Sequence, residues 1–246
     1  LVRMTIVDRM ELLYALEKVK PGVAVKEIIE QTTHFSFLGN VVATYNDEIS
    51  IRHPVKFDTP IYGVVKAEEL YELLSKLTGE TITIEVTESE LVLNAKNVTA
   101  GLTLQSEVLL PLGEINLLDE WRPLPKKFTQ ALHFCLPAIT TDMSFPALSC
   151  INIRQDGIVE ASDNFRLSRY DMDKKMTVPT FLLPGKSART LINFDVIEIS
   201  DGKGWKHFKT KEGTIFSARV FEGNFPDTEA TGVVNVEGVA VTLPQT

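Results

Sequence analysis

A chain of 246 residues, 44% apolar and 24% charged, has room for about two globular domains and fits no fibrous or low-complexity class. Its formal net charge of −8 excludes a uniformly basic nucleic-acid binder, although an acidic body can still carry one basic face. No apolar run approaches the roughly 18 residues of a membrane span, no secretory leader is visible, and the two cysteines, Cys135 and Cys150, sit in no Cys-x-x-Cys pair or Cys/His cluster, so a cytoplasmic protein with buried free thiols is expected rather than a zinc site.

In chain order, Asp8 is a candidate N-cap. Leu12, Leu13, Leu16 and Val19 then recur at helical spacing, and Pro21-Gly22 stops the helix. Strands follow in "FSFLGNVVATY" and "EISIRHPV". A second helix puts Leu70, Leu73, Leu74 and Leu77 on one face and ends by Gly79. "TITIEVTES" alternates as a half-buried strand does, and "ELVLNAK" and "VTAGLTL" complete a sheet. At "LLDEWRPLP" (117–125) a tryptophan and two prolines interrupt the pattern. Phe128, Leu132 and Cys135 mark the next helix, which ends before Pro137. Ala188, Leu191 and Ile192 mark a fourth, and "EISDGKGWKHF" reads as a hairpin with Gly202 and Gly204 at its turn.

The later elements restate the earlier ones. "VVATYNDEISIR" (41–52) returns as "IVEASDNFRLSR" (158–169); residues 61–77 align with 179–195, and 93–104 with 208–219. Each copy holds two units, helix first and short strands after. The expected fold is therefore α+β: two similar domains, 1–117 and 118–238, each with paired helices on antiparallel sheet. "VTLPQT" (241–246) resembles "RPLPKK" (122–127), which opens the second copy, so residues 239–246 are expected to begin a third.

Catalytic patterns fail on spacing. "PGKSA" (184–188) ends a strand and opens a helix, as a phosphate loop does, but Thr180 stands where the second glycine must be. His133 and Cys135 lie two apart on a helix and do not face each other. His34, His53 and His207 have no ligand spacing. No catalytic residue, metal or cofactor is expected. Charge is more informative. Lys126, Lys127, Lys186 and Arg189 mark the helices of the second copy, with no Asp or Glu between Lys126 and Cys135 or between Lys186 and Asn193. That is either a solvated face or a surface turned to a polyanion, where phosphate contacts give salt-sensitive, sequence-independent binding. The first copy mixes Lys66 and Lys76 with Glu68, Glu69 and Glu72.

Two phrases carry a resemblance. "VEASDNFRLSRYDM" (159–172) contains a small residue, Asp, two variable positions and Arg-Leu; "FSARVFEGNFPD" (216–227) runs from a strand into a Gly-x-Phe-Pro-Asp turn. With "AVKEIIEQTTHFSFLGNVVATYNDEISI" in the first copy, they make nearly the whole chain resemble the β subunit of bacterial DNA polymerase III, the DNA sliding clamp. The resemblance implies three similar domains per chain, closed head to tail around duplex DNA, with helices lining the hole and sheets forming the wall. It implies a non-catalytic processivity factor in DNA replication. It also implies a pocket on the second domain that takes linear peptides from the polymerase and the clamp loader.

By residue-wise matching, that pocket would include Ser162, Phe165, Arg166, Leu167 and Val233. Arg166 and Leu167 keep the family pattern, Ser162 replaces Thr, and Asn164 and Phe165 replace Gly and His. Packing in the core is the alternative role for Leu167 and Val233. The DNA-facing set would be Lys20, Lys26, Lys126, Lys127, Lys186 and Arg189, whereas the loop "PAITTDMSFP" (137–146) offers no cation. Two arrangements accommodate the missing third domain: a fragment of a longer clamp, or a two-domain clamp closing as a trimer. A clamp-like interaction scaffold that does not encircle DNA is the alternative function.

Overall fold

The computed structural model describes residues 3–96, 98–115, 117 and 119–234; the expected start of a third copy at 239–246 lies outside them. Strand β1 (Arg3–Asp8) runs into helix α1 (Arg9–Val19), where the Asp8 carboxylate accepts the Glu11 N–H at 2.9 Å and caps the helix. A tight turn at Lys20–Gly22 ends α1. Gly22 is required there, because a Cβ would fall 2.2 Å from the Thr44 hydroxyl, which itself donates to the Val19 carbonyl. Next come β2 (His34–Gly39), β3 (Val41–Tyr45), β4 (Ile49–Pro54) and β5 (Ile61–Lys66). Helix α2 (Ala67–Lys76) leads to β6 (Thr81–Val86), β7 (Glu90–Ala95) and β8 (Val98–Gln105).

The same order then repeats. It runs β9 (Arg122–Pro123), α3 (Phe128–Cys135), β10 (Cys150–Ile153), β11 (Ile158–Ser162), β12 (Leu167–Asp171) and β13 (Phe181–Pro184). Helix α4 (Gly185–Leu191), β14 (Val196–Gly202), β15 (Trp205–Thr210) and β16 (Ile215–Arg219) complete it. The fold is α+β with antiparallel sheet, as expected from the sequence. Two details differ. Each copy opens on a strand, not a helix: β1 pairs with β6 as β9 pairs with β14. Lys126 and Lys127 also precede α3 instead of lying in it, because Pro125 delays the helix start to Phe128.

Among the described residues, twelve strands form one sheet in the order β1-β6-β7-β8-β5-β2-β3-β4-β16-β15-β14-β9, and four form a second, β12-β11-β10-β13. The long sheet crosses between the copies at β4–β16, paired from Ile49↔Ala218 to Arg52↔Ile215. A narrower seam joins β5 to β8 inside the first copy through only Val64↔Gln105 and Val65↔Leu104. Gly63 lets that seam form: its φ is +127°, and a Cβ would meet the Gln105 carbonyl oxygen at 2.7 Å.

The apolar faces of the helices supply the core. Leu16 and Val19 of α1, Leu74 of α2, Leu132 and Cys135 of α3, and Leu191 of α4 are fully buried. Phe128 stacks on Phe208 with ring centroids 5.5 Å apart, and Phe194 meets Phe216 at 5.4 Å. Each buried side chain of this size contributes about 1.5–3 kcal/mol of transfer free energy. One such cluster runs through both copies; a smaller one of Tyr45, Leu110, Ile115 and Trp205 lies at their junction.

Candidate nucleic-acid face and peptide groove

The junction is built by a turn. Between β3 and β4, the Asn46 side-chain oxygen accepts the N–H groups of Glu48 (3.2 Å) and Ile49 (3.0 Å), and Asp47 takes φ +74°. Arg219 of β16 then donates to the Asp47 carbonyl and carboxylate, both at 2.9 Å, and lies over the Trp205 ring at 4.9 Å. Beside it, Lys186 at the start of α4 reaches Glu48 at 2.7 Å.

The six cations read from sequence are all exposed, and their surroundings differ. Lys186 is paired with Glu48, and Lys127 with Asp173, whose hydrogen bond and charge hold the Lys127 ammonium above the usual lysine range. Lys20 sits 3.8 Å from the centroid of the Tyr71 ring of α2. Lys26 lies on the loop between α1 and β2. That loop is fastened by buried Gln31, whose amide donates to the Gln105 side chain and the Glu107 carbonyl and accepts from Leu109 N–H. Lys20, Lys26, Lys126 and Arg189 form no ion pair among the described residues, so their charge is free for an external anion.

In the second copy, an open groove of about 550 Å³ runs between α3, β12 and the segment after the Phe-Pro-Asp turn. Phe134, Leu167, Ser168, Arg169, Val233 and Val234 line it. Of the five pocket residues read from sequence, the structure brings Leu167 and Val233 together here. Leu167 is half-buried and Val233 is 55% exposed, so neither is a core residue. Ser162, Phe165 and Arg166 instead build the neighbouring β11–β12 turn. The Ser162 hydroxyl donates to the Arg166 carbonyl at 2.9 Å, and Arg166 Nε donates to the Asp163 carboxylate at 2.9 Å. Desolvation pushes the Asp163 carboxyl up, but hydrogen bonds from Phe165 N–H, Arg166 N–H and the Arg166 guanidinium outweigh it and hold the group below the usual range. Phe165 stands 97% exposed at the tip.

Sequence reading missed Phe134, Ser168, Arg169 and Val234. Phe134 had a signal: it is an aromatic residue off the buried stripe of α3, and it packs on Tyr170 at 5.6 Å. Arg169 had none, because its partners on the groove wall, Thr228 and Glu229, lie far along the chain.

Elsewhere, a cleft of about 730 Å³ opens between α1, the end of β4 and Glu212. Of its polar groups, Tyr14 donates to Glu212 at 2.6 Å, and His53 pairs with Thr214 behind it at 2.8 Å. Desolvation holds the His53 imidazole below its usual range. Burial, with a smaller push from Glu160, raises the Cys135 thiol to about 12, which leaves it an inert packing group at neutral pH. Among the described residues no cluster of His, Cys, Asp or Glu could hold a metal ion, and no helix is long and apolar enough to cross a membrane.

No family model and no curated protein sequence matches the chain. Solved structures do. The DNA polymerase sliding clamp of Bacillus subtilis superposes with a TM-score of 0.79 at 20% identity, over 92% of this chain and 67% of that one. The DNA polymerase III β chain of Streptococcus pneumoniae gives 0.78 at 20% identity over 94% and 67%, and the β subunit of Pseudomonas aeruginosa 0.76 at 18% over 93% and 68%. The chain thus carries the sliding-clamp fold and spans about two thirds of the length of these clamps, enough for two of their three domains.

Proposed function

We propose that the chain supplies two consecutive modules, 1–117 and 118–238, of a sliding clamp that encircles duplex DNA and tethers the replicative polymerase and other partners through short linear peptides. One observation carries this reading: the module is repeated, and successive modules are joined edge to edge by β4–β16 in one continuous sheet. A head-to-tail junction of this kind, applied again and again, closes a ring when its rotation divides the circle. The strand equivalent to β4 in the second copy is β12, which among the described residues pairs only with β11. Its free edge is the place for the next module, from the same chain or another.

Exposed Lys20, Lys26, Lys126, Lys127, Lys186 and Arg189 would meet the phosphates. A net charge of −8 keeps the rest of the ring from sticking to DNA, so the hold is topological and indifferent to sequence. The groove between Phe134, Leu167 and Val233 takes the apolar side chains of a partner peptide, and tethering then raises the partner's local concentration at the primer end. No step of this needs chemistry from the chain itself.

The decisive test loads the protein onto nicked circular DNA with a clamp loader and then linearises the circle. Retention on the circle and loss from the linear product are expected. Equal retention on both forms, or on neither, overturns the proposal. The first copy gives a second reading some support, because α2 sets Glu68, Glu69 and Glu72 beside its cations. A clamp-like scaffold that binds proteins without encircling DNA would show no retention on either DNA form.

A further inference from the structure

The wall of the groove that carries Val233 belongs to no helix or strand. It is a single turn after the Phe-Pro-Asp sequence. Asp227 accepts the N–H groups of Glu229 (3.1 Å) and Ala230 (2.9 Å), Thr231 N–H returns to the Asp227 carbonyl, and Gly232 at φ +72° ends the turn. What holds this turn on the sheet is a set of charges. Arg169 of β12 donates through Nη1 to the Glu160 carboxylate at 2.9 Å and to the Thr228 hydroxyl at 3.4 Å, and through Nη2 to Glu229 at 2.7 Å. Thr228 donates to Glu160 at 2.7 Å, Asn152 donates to Glu160 at 3.3 Å, and Arg154 donates to Glu229 at 3.1 Å and pairs with Asp156.

Glu160 is only 1% exposed, which makes it costly to leave unanswered. The two partners of Arg169 on the turn, Thr228 and Glu229, lie 59 and 60 residues away along the chain. Arg169 is thus the residue that ties the turn to the strand, and its side chain also lines the groove. Three carboxylates (Asp156, Glu160, Glu229) surround two guanidiniums (Arg154, Arg169), so the cationic charge here is already matched within the protein.

We infer that Arg169 is the positioning residue of the peptide groove: latched to Glu160 and Glu229, it fixes Thr228–Val234 as the groove wall and restricts the groove to uncharged apolar peptides. This rests on the groove being the partner-peptide site. Held so, Val233 faces Leu167 and Phe134 across a constant gap. Released from Arg169, the turn keeps its internal hydrogen bonds and the bonds from Thr228 to Glu160 and from Arg154 to Glu229, but loses its tie to β12 and with it the fixed placement of Val233. An acidic peptide side chain finds no unmatched cation, because Glu229 occupies it. The Glu229 carboxyl is held below the usual range by Arg169 first and Arg154 second, consistent with a tight latch at neutral pH.

The test compares two labelled pentapeptides by fluorescence anisotropy, one with leucine and phenylalanine anchors and neutral spacers, the other with one spacer changed to aspartate. Binding is read on the wild-type protein and on the Val233→Asp, Arg169→Met, Arg169→Lys and Glu229→Gln variants. Amide hydrogen exchange over residues 228–234 is followed in parallel. The neutral peptide should bind the wild type and lose binding in Val233→Asp. Arg169→Met should bind it about tenfold more weakly, as expected for losing a charge-assisted pair of hydrogen bonds, with faster exchange confined to 228–234. Arg169→Lys should recover part of the loss. Glu229→Gln, which leaves Arg169 with a free face, should move the preference toward the aspartate peptide, a change that mere destabilisation would not give. If the wild type binds, Val233→Asp does not, and Arg169→Met and Glu229→Gln match the wild type in affinity, preference and exchange, the latch is overturned while the groove stands. If the wild type binds neither peptide, the groove reading falls, and the inference with it.

Discussion

The turn between β3 and β4 and the turn between β11 and β12 have the same geometry and different fates. In both, an Asx side chain accepts two N–H groups: Asn46 from Glu48 and Ile49, Asp163 from Phe165 and Arg166. In both, the next residue is left-handed, Asp47 at φ +74° and Asn164 at +73°. The first turn is consumed by the junction, with Asp47 on Arg219 and Glu48 on Lys186. The second presents Phe165 to solvent beside a strand edge that is unpaired among the described residues. The backbone shape is thus set by the Asx cap and is indifferent to its surroundings. Whether the shape becomes a joint depends on the side chains at the tip and on the strand that arrives to meet them.

The largest expected effect separates the closed junction from the open one. Phe216 is fully buried opposite Ile51 in the β4–β16 ladder, and Phe216→Ala should cost about 3–5 kcal/mol in urea denaturation. The open turn should tolerate its counterpart: Phe165→Ala should change stability by no more than about 0.5 kcal/mol. A comparable loss from both would mean that Phe165 packs somewhere, and the contrast between the turns would collapse.

A smaller effect tests the shared backbone. A β-branched residue resists the left-handed region, so Asp47→Val and Asn164→Val should each cost about 1–2 kcal/mol. Asp47→Val should cost the more, because it also strips Arg219 of a carboxylate. Equal costs would mean that the junction ion pair adds nothing to the fold.

Acid should sharpen the comparison on the groove side. Glu229 has its folded pKa depressed, by Arg169 and then Arg154. Its contribution is therefore complete above the ordinary glutamate range and is lost as pH falls through the lower folded value. Intrinsic-rate-corrected amide exchange at 228–234 should rise in that acid window and not between pH 6 and 8. The smallest effect concerns Lys186, whose ion pair is largely exposed. Lys186→Ala should leave stability within about 0.5 kcal/mol of the wild type. If the residue meets phosphate, the same change should lower the salt dependence of DNA binding by about one unit of log–log slope.

The repeat was legible because turns are local. An Asx cap, a left-handed residue and a strand on either side are written within one short phrase, and "YNDE" and "SDNF" announced the same device twice. The helices were legible through their leucine periodicity. Strand β1 was not, since its alternation of Met4, Thr5, Ile6 and Val7 is short and becomes a strand only by pairing with β6, about eighty residues away. The groove was half legible. Leu167 and Val233 came through the resemblance, while Arg169 was invisible because its role depends on residues that only folding brings near. The cations were legible as residue types but not as free charges: nothing near Lys186 in sequence announces Glu48.

The narrow β5–β8 seam has a mechanical consequence. A long sheet pulled lengthwise carries the load across every strand boundary in series, and the boundary with the fewest hydrogen bonds yields first. The joint between the copies offers four residue pairs, whereas two boundaries inside the first copy, β5–β8 and β2–β3, offer two each, the former beside a glycine. Under such a pull the first copy should therefore split within itself before the two copies part, so the joint between the repeated units is stronger than a boundary inside one of them.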